Sequence, residues 1–170
     1  MNDKTTRFDG GETRFVLMFR SAEGERLARL VIEGLRAFGG PLRDCEIWAF
    51  VMDPDRTPRA LPIAEKVYAC ARAEKLAGAE VRSLVWLSLD CLIVNPPLLF
   101  DLGPSEDAPE ADIAFRPVHH RNIGSLADEP LDAFWQGVYR ALEVDEMPYT
   151  VESFADGQML RPYFNSHCFA

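Results

Sequence analysis

The feature that most restricts the fold is a short apolar run, Phe15-Val-Leu-Met-Phe19, followed by a helix-spaced segment and a second apolar run, Ile47 to Met52. Strand, helix and strand within about forty residues is the pattern of a parallel α/β unit, because parallel strands need a crossover between them. Ser21 stands where an N-cap belongs, and Glu23 and Glu25 sit in the first turn, at the positive end of the helix dipole. Leu27, Leu30, Val31, Leu35 and Phe38 then recur at helical spacing until Gly39-Gly40-Pro41 ends the run.

The remaining segments extend this plan. Residues 64–77 read as a weaker helix, with Val67, Tyr68, Ala71 and Leu76 as its apolar face. Leu84-Val-Trp-Leu87 is a third buried run, resuming after Ser88-Leu89-Asp90 as Cys91-Leu-Ile-Val94 until Pro96-Pro97 forbids sheet pairing. Residues 111–118 read as a fourth strand. Glu129-Pro130 opens a helix with Leu131, Phe134, Trp135, Val138 and Leu142 on one face, and Tyr149 to Ala170 mixes short extended segments with the turn Ala155-Asp156-Gly157. Trp48, Trp86 and Trp135 fall within the apolar patterns and read as core. The expectation is one α/β domain over residues 14–170, with a mostly parallel sheet and flanking helices, after a flexible polar lead of residues 1–13.

Charge and composition narrow the function classes. Eighteen Lys and Arg against 27 Asp and Glu give a net charge of −9, which argues against a nucleic-acid partner. A single nucleotide remains possible, since a few backbone N–H groups or one metal ion can hold it. The acidic stretch from Asp101 to Asp112 reads as a solvated loop. Cys45, Cys70, Cys91 and Cys168 lack C-x-x-C spacing and read as buried free thiols in a reducing compartment. No apolar run is long enough to span a membrane and the polar N-terminus has no signal-peptide pattern, so the cytoplasm is the expected location. Neither a dinucleotide-binding glycine motif, a P-loop nor a nucleophile elbow is present in the sequence.

Chemistry concentrates at Leu84 to Val94. Ser88 and Asp90 are two residues apart at the end of a buried strand and so point to the same side, where α/β sheets bind ligands. Asp90 can hold a ligand there or cap a turn. A second cluster, Arg116, His119, His120, Arg121 and Asn122, offers donors for a diphosphate or an acceptor; as a surface loop, it would pair with the acidic stretch before it. Asp156 and Gln158 form a further polar turn.

The Leu84–Val94 pattern resembles the strand and Asp-x-Asp turn of GT-A glycosyltransferases, especially the family-8-like group of retaining galactosyl- and glucosyltransferases. Asp90 matches the second acid, and Ser88 stands in place of the first. The resemblance implies a three-layer nucleotide-diphospho-sugar transferase-like fold, with Mn²⁺ or Mg²⁺ held by Asp90 and Ser88. It places Arg20 and Ser21 near the base and ribose, and Lys66 at the nucleotide or diphosphate. The family's Phe-Asn-Ser-Gly segment is matched at Phe164, Asn165 and Ser166, with His167 in place of the glycine. Asn165 and Asp156 would contact sugar or acceptor, and Arg116 and His120 would clamp the diphosphate. Family members continue past the point matching Ala170 to a histidine that completes the metal site, so the domain is expected to lack C-terminal elements. The expected function is transfer of a sugar, as a hexosyltransferase, from a UDP-sugar donor to an unknown hydroxyl. The alternative is a truncated or degenerate GT-A domain acting as a non-catalytic binding or scaffold module.

Overall fold

The computed structural model describes residues 12–52, 62–102, 112–118, 122, 124–145 and 149–170. They divide into two compact units, one of residues 1–114 with 167–170 and the other of residues 115–166.

The first unit is built around β1 (Thr13–Phe19), which pairs in parallel with β2 (Glu46–Val51) on one side and with β3 (Ser83–Leu87) on the other. A short β8 (Cys168–Phe169) adds antiparallel to β3, giving the strand order β2-β1-β3-β8. Mixed α/β content and a mostly parallel sheet follow the sequence pattern. Alternation along the strands divides the core in two. Phe15, Leu17, Val85 and Leu87 join Ala28, Val31 and Leu35 of α1 (Ala22–Phe38). On the opposite face, Val16 and Trp86 join Ala69 and Ala73 of α2 (Pro62–Leu76), with Trp48 and Phe50 packed against them.

Helix α1 begins as its sequence prescribes. Ser21 accepts a hydrogen bond from the Gly24 amide at 3.0 Å, satisfying one of the donors that a helix start leaves unpaired. It ends at Gly39 and Gly40, the latter at φ 57°, where a side chain would be strained and its Cβ would lie 2.8 Å from Pro96.

Three expectations fail here for packing reasons. Helix α2 turns its alanines inward: Ala69 and Ala73 are fully buried, whereas Val67, Tyr68 and Leu76 are more than half exposed and Ala71 is also exposed. Small side chains let this helix lie close to the sheet, which a stripe of larger residues would hold off. The apolar run after Asp90 is not a strand. It lies along α1, with Leu89 beside Gly24, Ile93 beside Gly34 and Pro96 beside Gly40. Only Ile93 is buried within that run, and Leu92 and Val94 face out. The acidic stretch is not solvated at its start. Arg82 binds Asp101 at 2.7 Å and Glu12 at 2.6 Å, and the Asp101 side chain is only 8% exposed. Residues 103–111 of that stretch lie outside the described residues. So do residues 1–11 of the polar lead, but Glu12 and the buried Thr13 belong to the fold.

The second unit contains α3 (Ala133–Leu142), capped by the Asp132 carboxylate on the Trp135 amide at 2.8 Å. The helix therefore starts three residues after Pro130, and it buries Trp135 and Tyr139 while Phe134 and Leu142 stay exposed. Two-stranded pairs complete the unit: β4 (Arg116–Pro117) with β7 (Phe164–Asn165), and β5 (Val151–Glu152) with β6 (Met159–Leu160). The strand expected over residues 111–118 is thus reduced to two residues. Arg161 ties the unit together by donating to Ser125 Oγ at 2.7 Å and to the Leu126 and Glu129 carbonyls. Tyr163 meets Trp135 edge to face, with ring centroids 5.2 Å apart.

The inverted face of α2 gives a direct test. Ala69→Leu should cost about 1–3 kcal/mol through overpacking, while Val67→Ala, on the outer face, should stay within about 0.5 kcal/mol. Urea midpoints for the two variants check this, and equal losses would contradict the assigned face.

Candidate functional site

Parallel strands β1, β2 and β3 end at the same edge of the sheet, and α1 starts there. Chain direction alone therefore gathers Arg20, Ser21 and the Ser88-Leu89-Asp90 turn at one rim. An ideal Cβ at Gly24 would lie 3.7 Å from Leu89, which puts the turn against the first turn of α1. The turn is closed by the Cys91 amide on the Ser88 carbonyl at 3.1 Å.

Asp90 is exposed, so its charge carries little burial cost, and it is held by two neighbours. His167 Nδ1 lies 3.0 Å from Oδ1 and 2.9 Å from Oδ2 of its carboxylate. The Ser88 hydroxyl, two residues back, also favours its charged form. These neighbours, Ser88 first and His167 second, hold the Asp90 carboxyl below the ordinary carboxylate range. Asp90 thus does more than cap a turn. It fixes an imidazole that, when neutral and donating from Nδ1, carries its lone pair on Nε2 and can accept a proton or a cation there.

Lys66 on α2 also reaches this region. Its ammonium lies 5.8 Å from the Trp86 ring centroid. Burial pulls its pKa down, and Cys70, Asp90 and Cys91 pull it back up. Burial, followed by the charges of Cys168 and Asp90, pushes the Cys91 thiol up to about 11. The Ser21 hydroxyl is engaged in the helix cap, and Arg20 is exposed just past β1.

The other expected residues lie in the second unit. Arg116 and Asn165 are register partners across β4 and β7, so these two are brought together. Asp156 sits in the β5–β6 turn, where its carboxylate accepts from the Gln158 amide at 3.4 Å. His120, with His119 and Arg121, lies outside the described residues.

His167 is the residue that sequence reasoning undervalued. It was visible as the substitute for a glycine, but its partner depends on β8, whose pairing of Leu87 with Cys168 sets His167 opposite Ser88. The Ser88 amide donates to the His167 carbonyl at 2.7 Å and completes that register.

A divalent cation at this rim would find one carboxylate, one hydroxyl and one imidazole. Among the described residues no group of three or more His, Cys, Asp and Glu is placed to hold a metal ion. Hard cations take about six oxygens, so Asp90 and Ser88 fit such an ion only when a diphosphate and water supply the other ligands. A separate cavity of about 300 Å³ on the α2 face is lined by Ala73, Trp86 and Phe169 among others, and is mainly apolar. None of the expected site residues lines it.

No helix among the described residues is long and apolar enough to cross a membrane. In comparisons with known proteins, no family model, curated protein or solved structure matched the chain.

The Asp90 carboxyl should titrate below the usual value of about 3.9. Ser88→Ala and His167→Ala should each raise its pKa, since both residues help to hold it down. A depressed carboxyl contributes stability above its unfolded pKa, and that contribution is lost as pH falls through the folded pKa. Asp90 is too exposed for that contribution to be large, so carboxyl-carbon NMR titration is the suitable readout. An Asp90 curve unmoved by either change would refute the hydrogen-bonded arrangement.

Proposed function

We propose that the chain is a glycosyltransferase-like protein of the GT-A kind, which binds a nucleoside diphosphate sugar, UDP-linked, and transfers the sugar to a hydroxyl acceptor. The observation that carries this reading is the Ser88–Asp90 turn at the rim where three parallel strands end beside the start of α1. In α/β sheets that crevice is where ligands bind. Helices α1 and α2 on opposite faces of the sheet are compatible with the three-layer arrangement in the proposal.

Within this reading, Asp90 and Ser88 would share Mn²⁺ or Mg²⁺ with the diphosphate. The bound ion would offset charge on the leaving nucleoside diphosphate. Arg20, the Ser21 loop and Lys66 would face the nucleotide. His167, oriented by Asp90, would take the acceptor hydroxyl's proton at Nε2.

One observation favours a second reading, a binding module without turnover. Both Asp90 oxygens already lie within hydrogen-bond distance of His167, so a cation would compete with the imidazole for them. Free UDP released from a UDP-sugar, with and without Mn²⁺, separates turnover from binding alone.

Saturating UDP, at about 100 times its Kd, should stabilise the fold by roughly 2.7 kcal/mol. In calorimetric titrations with Mn²⁺, Asp90→Asn should weaken UDP binding at least about tenfold, equivalent to about 1.4 kcal/mol. Ser88→Asp should tighten Mn²⁺ dependence by adding a hard anionic ligand. Melting curves unmoved by UDP, GDP and their sugars would end the ligand claim. Unchanged binding in Asp90→Asn, with no gain in Ser88→Asp, would end the metal claim.

A further inference from the structure

The site is bracketed by two cysteines. Cys91 follows Asp90 and Cys168 follows His167. The turn at Ser88 folds Cys91 back against the start of β8, so that its Sγ donates to the His167 carbonyl at 3.5 Å. That carbonyl belongs to the peptide bond leading into Cys168, so the two cysteines flank one peptide group, and the Cys168 thiol is among the groups that push the Cys91 thiol up. Both residues are partly exposed, and both are reduced here. All four cysteines are free as expected, but only Cys45, 2% exposed, is buried, while Cys70, Cys91 and Cys168 are partly exposed.

The segment carrying Cys168 is also lightly held. The chain leaves the first unit after Ala114 and returns only for residues 167–170. That return rests on the Ser88 amide to the His167 carbonyl, the two-residue pairing with β3, reciprocal bonds between Ala114 and Ala170 at 2.9 and 3.1 Å, the His167–Asp90 contact, and packing of partly buried Cys168, Phe169 and Ala170. A covalent link between Cys91 and Cys168 would fix this return to the turn that carries Asp90.

We propose that Cys91 and Cys168 form a reversible disulfide that locks β8, and with it His167, beside Asp90. This inference is independent of the sugar-transfer reading. The oxidant is a small-molecule disulfide such as oxidised glutathione. The Cys91 thiol is engaged in its hydrogen bond to the His167 carbonyl, so Cys168 acts first. Its thiolate attacks one sulfur of the oxidant and expels one glutathione thiolate. The Cys91 thiolate then attacks the Cys168 sulfur of the mixed disulfide and expels the second. Two protein thiols give up two electrons and two protons, and the oxidant leaves as two glutathione thiols.

The test uses the wild-type chain, so no variant has to fold. After incubation with oxidised glutathione, non-reducing peptide mapping should show one cross-linked pair, containing Cys91 and Cys168, that dithiothreitol reverses. Amide exchange at residues 168–170 should slow at least about tenfold in the oxidised form, because opening of this strand now strains a covalent loop. Stable glutathione adducts on either cysteine without a cross-link would overturn the proposal. So would links to Cys45 or Cys70, unmodified thiols, or equal exchange in the two redox states.

Discussion

Everything in the first unit depends on β1 being covered on all four sides. Strands β2 and β3 take its hydrogen bonds, and α1 and α2 take its two faces. Such a strand cannot show alternating polarity, which is why Phe15 to Phe19 is continuously apolar. Once it is placed, the parallel partners must run in the same direction, and their ends converge on one rim. Site geometry is therefore a by-product of burial: Arg20, Ser21, Ser88 and Asp90 meet because the residues before them had to be dry.

The parts of this plan set by local rules could be read from the sequence. Ser21 as a cap, the stop at Gly39-Gly40, and strands β1, β2 and β3 all follow from patterns spanning fewer than twenty residues. Failures occurred where a distant neighbour decides the outcome. The orientation of α2 depends on how closely the sheet approaches, which favours Ala69 and Ala73 over the larger Val67 and Tyr68. The Cys91–Val94 run has the composition of a strand, yet α1 gives it a track beside Gly34 and Gly40. Of the face expected for α3, Trp135 is buried as read, but Phe134 and Leu142 are exposed and Tyr139 is buried in their stead, because the rest of the unit packs on the Trp135–Tyr139 side.

The candidate site was legible by the same measure. Two-residue spacing at a strand end was enough to single out Ser88 and Asp90. His167 was not recoverable in that way, because its meeting with Asp90 joins residues 77 apart through a strand only two residues long. Arg116 and Asn165 were chosen for separate reasons and turn out to be register partners. That pairing came from β4 and β7, neither of which is long enough to announce itself by periodicity.

The long reach of the Asp90–His167 contact bears on local stability. Joining residues 77 apart rather than 32, the separation 46 − 14 of the Arg14–Glu46 register pair, adds only about 0.8 kcal/mol of loop-closure entropy. Distance along the chain is thus a minor handicap, and the brevity of β8 is the larger one. A two-residue strand can detach while the β2-β1-β3 core keeps its ladder, which makes loss of the Asp90–His167 contact a sub-global event distinct from unfolding. The protein can therefore stay folded, with Ser88 and Asp90 at the rim, while His167 is away from them, a balance governed by residues 167–170 rather than by the core.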